Sequence, residues 1–215
     1  MRSTGILFSI LLATSLLMLV VAGVKFSPLW KKPIPYQPVE VPKDPSIPKV
    51  EEYHVVVLAY GTTATASHVF ATWTRSLDKE VVEQVDISWC PVRRSARLII
   101  SEVPGKNKSL KETLKDAHKA NRFSYWLMKT DRSFYEAALR QRETLKRYRF
   151  IDNSSRPKGV NCIHAVSDVA GYLETGSVVG IDAGKLAADH FVNLGKAYPS
   201  NDYWVLAKLS IHKSR

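Results

Sequence analysis

The sequence predicts an α+β fold in which a mostly antiparallel sheet is packed with helices. Four apolar, β-branched runs follow one another in the first half of the domain, which indicates strands. Segments with apolar residues at helical spacing, each preceded by a capping residue, come after them. Only 2 of the 215 residues are cysteine, too few for a disulfide scaffold, so a buried core has to stabilise the domain.

The first 24 residues predict that the chain meets a membrane. The run from Gly5 to Val24 carries no charge and is long enough to cross a bilayer as a helix. Residues 1–24 are therefore a signal anchor or a signal peptide, and Val20–Val21–Ala22 loosely fits a cleavage site. We expect a membrane-anchored domain outside the cytoplasm, in the periplasm or at the cell surface, or a secreted one if cleavage occurs.

Residues 25–52 are rich in proline and predict a linker. Prolines at this density remove backbone donors and favour an extended, semi-rigid chain. The seven prolines are Pro28, Pro33, Pro35, Pro38, Pro42, Pro45 and Pro48. Residues 53–215 are then one domain, with a length that supports a core of its own.

The predicted strands lie at the start of this domain. They cover His54 to Gly61, Ser67 to Arg75, Val85 to Pro91 and Ala96 to Val103. Alternation along the second strand divides its side chains between two faces of the sheet. His68, Phe70, Thr72 and Thr74 share one face, and Val69, Ala71 and Trp73 share the other.

Four helices are predicted from their starts, and a last strand closes the chain. Ser109 with Glu112, and Ser133 with Glu136, match the S-x-x-E capping box. Asn161 and Asp182 are plausible N-caps for the two later helices. The apolar run YWVLAKLSI, residues 203–211, predicts the closing strand.

The chain is basic, with a formal net charge of +11, and the excess is local. From Lys106 to Arg149 there are 13 lysines and arginines against 5 aspartates and glutamates, a net charge of +8. This segment is either a solvated helical surface or a face that attracts anionic lipid headgroups or an anionic cell-wall polymer. No nucleic-acid motif is present, so a nucleic-acid partner is not predicted. The oligomeric state is left open.

Cys162 is the residue with most chemical interest, because it comes directly after the predicted cap Asn161. In the first turn of a helix, backbone N–H groups and the helix dipole favour a thiolate. The N–H of Cys162 would also face a developing oxyanion. A thiolate nucleophile needs a histidine base, and His68, at the start of a strand after a small-residue loop, is the favoured candidate.

Three other interpretations of Cys162 stay open at this point. It can pair with Cys90 in a disulfide, which is allowed outside the cytoplasm. It can be a buried, unreactive core residue. It can also ligate zinc together with His164 and His68, although this ligand spacing is not a usual one, and we predict no metal and no cofactor.

The segments SHVFATW and DISW, followed much later by NCIHAVSD, resemble the permuted branch of the papain-like cysteine hydrolases. This superfamily includes NlpC-type cell-wall endopeptidases and lecithin:retinol acyltransferases, and the same motifs are similar to those of uncharacterised bacterial exported proteins. The resemblance implies a circularly permuted papain-like fold. It implies Cys162 as the nucleophile, His68 as the base, and Asp86 or Ser88 as the residue that orients the imidazole, with Asp86 preferred for its charge.

The expected function is therefore a membrane-tethered extracytoplasmic thiol hydrolase that cleaves amide bonds, for example in wall peptides. The alternatives are an acyltransferase or other lipid-acting thiol enzyme, and a non-catalytic binding domain that keeps the fold. The catalytic prediction requires His68 and Phe70 to face the helix that Cys162 begins, while Val69 and Ala71 turn away from it.

Overall fold

The computed structural model describes residues 49–61, 67–92, 102–120, 123–151, 159–174 and 180–211. The predicted anchor, nearly all of the predicted linker and most of the strand predicted from Ala96 to Val103 lie outside these residues. Within the described ranges, no helix is long and apolar enough to cross a membrane.

A five-stranded antiparallel sheet forms the centre of the described domain, with the strand order β3-β2-β1-β6-β9. Its strands are β1 (Glu51–Tyr60), β2 (His68–Leu77), β3 (Glu80–Ile87), β6 (Phe123–Thr130) and β9 (Ala197–Pro199). A smaller sheet joins β4 (Trp89–Pro91), β5 (Val103–Asn107), β7 (Arg149–Phe150) and β8 (Gly159–Val160), and its last two strands are parallel. The predicted α+β class with mostly antiparallel pairing is confirmed.

The described helices pack on both faces of the five-stranded sheet. They are α1 (Leu110–Lys119), α2 (Arg132–Leu145), α3 (Cys162–Ser167), α4 (Gly180–Asn193) and α5 (Trp204–Lys208). Helices cover both faces of the sheet because β1 is buried on both faces, as its continuous apolar run predicts.

Each face of the sheet has its own hydrophobic core. The first core joins alternate residues of β1 and β2, including Val57, Val69 and Trp73, to α2, α3 and α4. The second core joins the intervening residues, including Leu58 and Phe70, to α1 and α5. The predicted division of β2 between two faces is therefore confirmed, because Phe70 lies in one core while Val69, Ala71 and Trp73 lie in the other.

The helix starts confirm two of the four predicted caps. Ser109 and Glu112 form the complete capping box of α1. Asn161 caps α3 by accepting a hydrogen bond at Oδ1 from the His164 amide, at 2.9 Å. Both residues leave their backbone extended and use a short side chain to accept from a first-turn N–H, as an N-cap requires.

The other two cap predictions are wrong. Helix α2 starts two residues earlier than a Ser133 cap would allow, and Asp131 is its N-cap, accepting from the Phe134 amide at 2.9 Å. Ser133 instead donates to the Asp131 carboxylate, at 2.7 Å. Helix α4 begins at Gly180, so Asp182 lies in its first turn, where a carboxylate interacts favourably with the helix dipole.

The closing strand predicted from residues 203–211 is also wrong, because Trp204–Lys208 is the helix α5. A short apolar run does not distinguish a strand from a buried helix by periodicity alone. The preceding Ser200–Asn201–Asp202 is a turn-forming cluster, and the Val205 amide donates to the Asp202 carbonyl. Packing of Trp204, Val205 and Leu206 in the second core then stabilises the helix.

Candidate functional site

His68 is the first residue of β2 and lies on the face that α1 covers. Its ring is stacked on Phe70, with centroids 5.9 Å apart and an interplanar angle of 14°. Tyr60, its register partner on β1, contacts it edge-on with centroids 5.6 Å apart. The imidazole is partly exposed, so aromatic contacts restrict its orientation while leaving it access to solvent.

A chain of polar groups runs from His68 into the domain. His68 Nε2 lies 2.9 Å from Ser88 Oγ. Ser88 Oγ lies 2.7 Å from Thr113 Oγ1, which in turn lies 2.9 Å from the Ser109 carbonyl oxygen. Two hydroxyl groups, one ring nitrogen and one carbonyl thus form a continuous path from β2 to helix α1.

Two acceptors lie within reach of the single Thr113 hydroxyl proton, the Ser88 hydroxyl and the Ser109 carbonyl oxygen. The Ser109 carbonyl also accepts from the Thr113 amide, at 3.0 Å. Because the Ser88 hydroxyl can donate or accept, the path holds His68 Nε2 at Ser88 in either tautomer of the ring.

The backbone around Ser88 holds it firmly. Ser88 lies between β3 and β4, is 1% exposed, and its amide donates to Asn107 Oδ1 at 2.6 Å. Its carbonyl accepts from the Lys108 amide at 3.0 Å. The Asn107 side chain also donates to the Asp86 carbonyl, at 2.7 Å, so one amide side chain bridges both flanks of Ser88.

Asp86, the preferred candidate for orienting the imidazole, is occupied elsewhere. Its carboxylate accepts from Thr72 Oγ1 at 2.8 Å, from Gln84 Nε2 at 2.6 Å and from the Leu110 amide at 2.8 Å. The hydrogen bond from the Leu110 amide attaches the N-terminus of α1 to the sheet. A negative charge at this end of a helix also interacts favourably with the helix dipole. The structure thus places Ser88, and not Asp86, at Nε2 of His68.

Cys162 is the first residue of α3, directly after the Asn161 cap, as predicted. Its side chain is partly exposed and packs against the first core. Both cysteines are free thiols, so the proposed disulfide is absent. Cys90 is buried, its Sγ lies 3.5 Å from the Lys106 carbonyl oxygen, and burial raises the pKa of its thiol.

The face of β2 that helix α3 covers differs from the prediction. Helix α3 packs on β2 through the first core, which contains Val69 and Ala71 together with Ile163, so the prediction that Val69 and Ala71 turn away from this helix is wrong. Phe70, on which His68 stacks, lies in the second core, which α1 covers. Alternation states which residues share a face, but it does not state which helix covers that face. The pairing of Cys162 with His68 stays a prediction.

The zinc interpretation assigned Cys162, His164 and His68 as ligands. His164 is buried on α3. Among the described residues, no group of three or more histidine, cysteine, aspartate or glutamate side chains is arranged to hold a metal ion.

Two further polar pairs were missed from the sequence. Thr113 was overlooked because a threonine inside a helix usually bonds only its own preceding turn. His54, interpreted as an ordinary strand residue, is fully buried and its Nε2 lies 2.9 Å from Asp202 Oδ2. This pair joins β1 to the turn before α5, and a separation of 148 residues gives no local signal of it.

Comparison of the chain with protein-family models, with curated proteins and with solved structures finds no match in any of the three.

Proposed function

We propose that the domain is a membrane-tethered, extracytoplasmic thiol hydrolase that cleaves amide bonds through Cys162 and His68. The observation that carries this proposal is that helix α3, which Cys162 begins, packs on strand β2, which His68 begins. Cys162 follows the Asn161 cap, a position that favours a thiolate. A thiol nucleophile also needs a histidine base near the sulfur.

Ser88 holds the imidazole of the proposed base. His68 Nε2 lies 2.9 Å from Ser88 Oγ, and the rings of Tyr60 and Phe70 restrict the plane of the imidazole. In the proposed reaction His68 takes the proton of the Cys162 thiol, and the thiolate attacks the amide carbonyl carbon. His68 then gives the proton to the leaving amine, and water hydrolyses the thioester. Ser88 would orient the imidazole as the third residue of the site.

A non-catalytic binding domain is the second candidate, and one observation favours it. Phe70, beside His68, belongs to the second core, whereas Val69 and Ala71 share the first core with Ile163 of α3. A binding domain would use the oriented imidazole without thiol chemistry. Tethering by residues 1–24 and an extracytoplasmic location are proposals common to both candidates.

Alkylation of Cys162 distinguishes the two candidates. In the full-length chain, Cys90→Ser leaves Cys162 as the single thiol. We expect iodoacetamide to modify it about tenfold more slowly, or slower still, when His68→Gln is added, because the proposed base that activates the sulfur is lost. The urea-unfolded chain supplies the reference rate, and Ser88→Ala supplies a matched change in the same polar chain, for which we expect a smaller fall.

A rate that stays within about twofold when His68→Gln is added would contradict the thiol hydrolase. Such a result would show that His68 does not activate the thiol and would favour the binding domain.

A further inference from the structure

The start of helix α1, residues 107–113, contacts three different groups of Ser88. Asn107 Oδ1 accepts from the Ser88 amide at 2.6 Å, and the Lys108 amide donates to the Ser88 carbonyl at 3.0 Å. Thr113, which is fully buried, places its Oγ1 2.7 Å from the Ser88 hydroxyl. The same hydroxyl lies 2.9 Å from His68 Nε2. One helix start thus holds both the backbone and the hydroxyl of the residue that contacts the imidazole.

The hydroxyl protons along this path have two self-consistent arrangements. In the first, His68 Nε2–H donates to Ser88, Ser88 donates to Thr113, and Thr113 donates to the Ser109 carbonyl. In the second, Thr113 donates to Ser88 and Ser88 donates to Nε2, so the neutral ring carries its proton at Nδ1. The first arrangement has one hydrogen bond more, because it also uses the Ser109 carbonyl as an acceptor of the Thr113 hydroxyl.

Only the first arrangement gives the neutral imidazole a basic Nδ1. Because Ser88 holds Nε2, Nδ1 is the nitrogen that would take the Cys162 proton in the proposed reaction. Once that proton has moved, both ring nitrogens are donors, and Nε2–H still donates to Ser88. No hydroxyl along the path then has to turn, so the path is already oriented for the charged ring before the proton moves.

We propose that Thr113 is a positioning residue whose hydroxyl selects the tautomer of His68 that can take the Cys162 proton. This inference rests on the proposed thiol hydrolase and adds a residue that acts through Ser88. Without the Thr113 hydroxyl, the Ser88 proton has one acceptor left among its partners in the described residues, which is His68 Nε2. Ser88 is 1% exposed, so leaving its proton without an acceptor is costly. The ring would therefore be held with its proton at Nδ1, where it cannot act as the base.

The competing explanation is that Thr113 serves only its own helix, by bonding the carbonyl of the preceding turn. Threonines inside helices commonly do this. Thr144 of α2 makes the same bond, with its Oγ1 2.9 Å from the Arg140 carbonyl oxygen. Thr144 is not part of the path from His68, so Thr144→Val is a matched control for the loss of a helix threonine hydroxyl.

The first measurement is the pH dependence of Cys162 alkylation by iodoacetamide, in the full-length chain with Cys90→Ser and a non-ionic detergent. Thr113→Val keeps the shape of the side chain and removes its hydroxyl, and we expect alkylation about three- to tenfold slower near neutral pH. The difference should shrink to within about twofold near pH 10, where a thiol ionises without a base. Thr113→Ser and Thr144→Val should stay within about twofold of the parent at every pH. If Thr113→Val does not fold, Thr113→Ala also removes the hydroxyl and favours the helix.

The second measurement does not depend on the thiol. In the full-length chain with Cys90→Ser and Cys162→Ser, ¹⁵N NMR of labelled histidine reports which ring nitrogen of neutral His68 carries the proton, and His68→Gln assigns the signal. We expect the proton at Nε2 with threonine or serine at position 113, and a shift of the population towards Nδ1 in Thr113→Val.

An unchanged tautomer in Thr113→Val would overturn the proposal, and so would an alkylation loss that Thr144→Val shares. If His68→Gln leaves the alkylation rate unchanged, the proposed hydrolase fails, whereas the tautomer measurement still decides whether Thr113 selects the protonated nitrogen of His68. Failure of one inference is therefore distinguishable from failure of the other.

Discussion

Ser88 lies between β3 and β4, and its side chain holds the imidazole of His68 through Nε2. Its hydroxyl connects His68 to Thr113, and its backbone is held by Asn107 and Lys108. Alternation along the strand made Ser88 and Asp86 equal candidates for orienting the imidazole of His68, and charge favoured Asp86. The outcome depends on where α1 begins, because the Leu110 amide donates a hydrogen bond to the Asp86 carboxylate.

Ser88→Ala tests this hydrogen-bonded path. It removes a partner from His68 Nε2 and from the buried Thr113 hydroxyl, so we expect the free energy of unfolding to fall by about 1–3 kcal/mol. The matched control is Ser76→Ala on β2, because Ser76 Oγ is buried with no hydrogen-bond partner among the described residues. That change should cost less than about 0.5 kcal/mol. Urea denaturation measures both, and equal losses would contradict the path.

The pair formed by buried His54 and partly exposed Asp202 gives a second prediction, on pH dependence. Burial alone would raise the pKa of Asp202, but hydrogen bonds from His54 and Ser200 outweigh burial and lower it. A lowered carboxyl pKa stabilises the fold above the ordinary value of 3.8. This contribution is lost as the pH falls through the lowered pKa.

We therefore expect the free energy of unfolding to fall on acidification below about pH 4, and to fall less steeply in Asp202→Asn. Urea denaturation over a series of pH values measures the difference between the two proteins. Ser200→Ala, which removes one of the two hydrogen bonds to the carboxylate, should give an intermediate slope. Identical slopes in all three proteins would be inconsistent with the inferred role of Asp202.

At the scale of elements, the capping signals predicted that a helix begins nearby, but they did not always identify the residue that caps it. The box at Ser109 was confirmed, whereas the same S-x-x-E pattern at Ser133 lies inside α2. Asp131 competes for the same amides from an earlier position, and a carboxylate accepts more strongly than a hydroxyl. Hydrogen bonds from the Ser133 hydroxyl and the Phe134 amide lower the pKa of Asp131.

Replacing each candidate cap by alanine tests the assignment on α2. Asp131→Ala should reduce the free energy of unfolding by about 1 kcal/mol, because the Phe134 amide loses its acceptor. Ser133→Ala removes only a donor to that carboxylate and should cost less than about 0.5 kcal/mol. Thermal or urea unfolding measures both variants. A larger loss of unfolding free energy for Ser133→Ala than for Asp131→Ala would show that Ser133, and not Asp131, caps α2.

At the scale of the whole domain, local patterns predicted the strands and their alternation, because both depend on neighbouring residues. They did not predict which helix covers which face of β2, since that depends on contacts distant in the sequence. Leu110 and Leu114 of α1 pack with Phe70, while Ile163 and Val166 of α3 pack with Val69. The same limit applies to α5, whose apolar run is compatible with a strand until Trp204 meets the second core.

The most direct test of the proposed pairing of His68 with Cys162 is a cross-link between positions 68 and 162. In a Cys90→Ser background, His68→Cys places a thiol at the start of β2, and Cys162 supplies the other. Thr74→Cys with Gln84→Cys, in a Cys90→Ser, Cys162→Ser background, is the positive control, because these residues are register partners on β2 and β3. After mild oxidation of the full-length chain, or reaction with a short bifunctional thiol reagent, we predict a cross-link in the control and between positions 68 and 162. A control that cross-links while positions 68 and 162 do not, with either treatment, would contradict the proposed pairing.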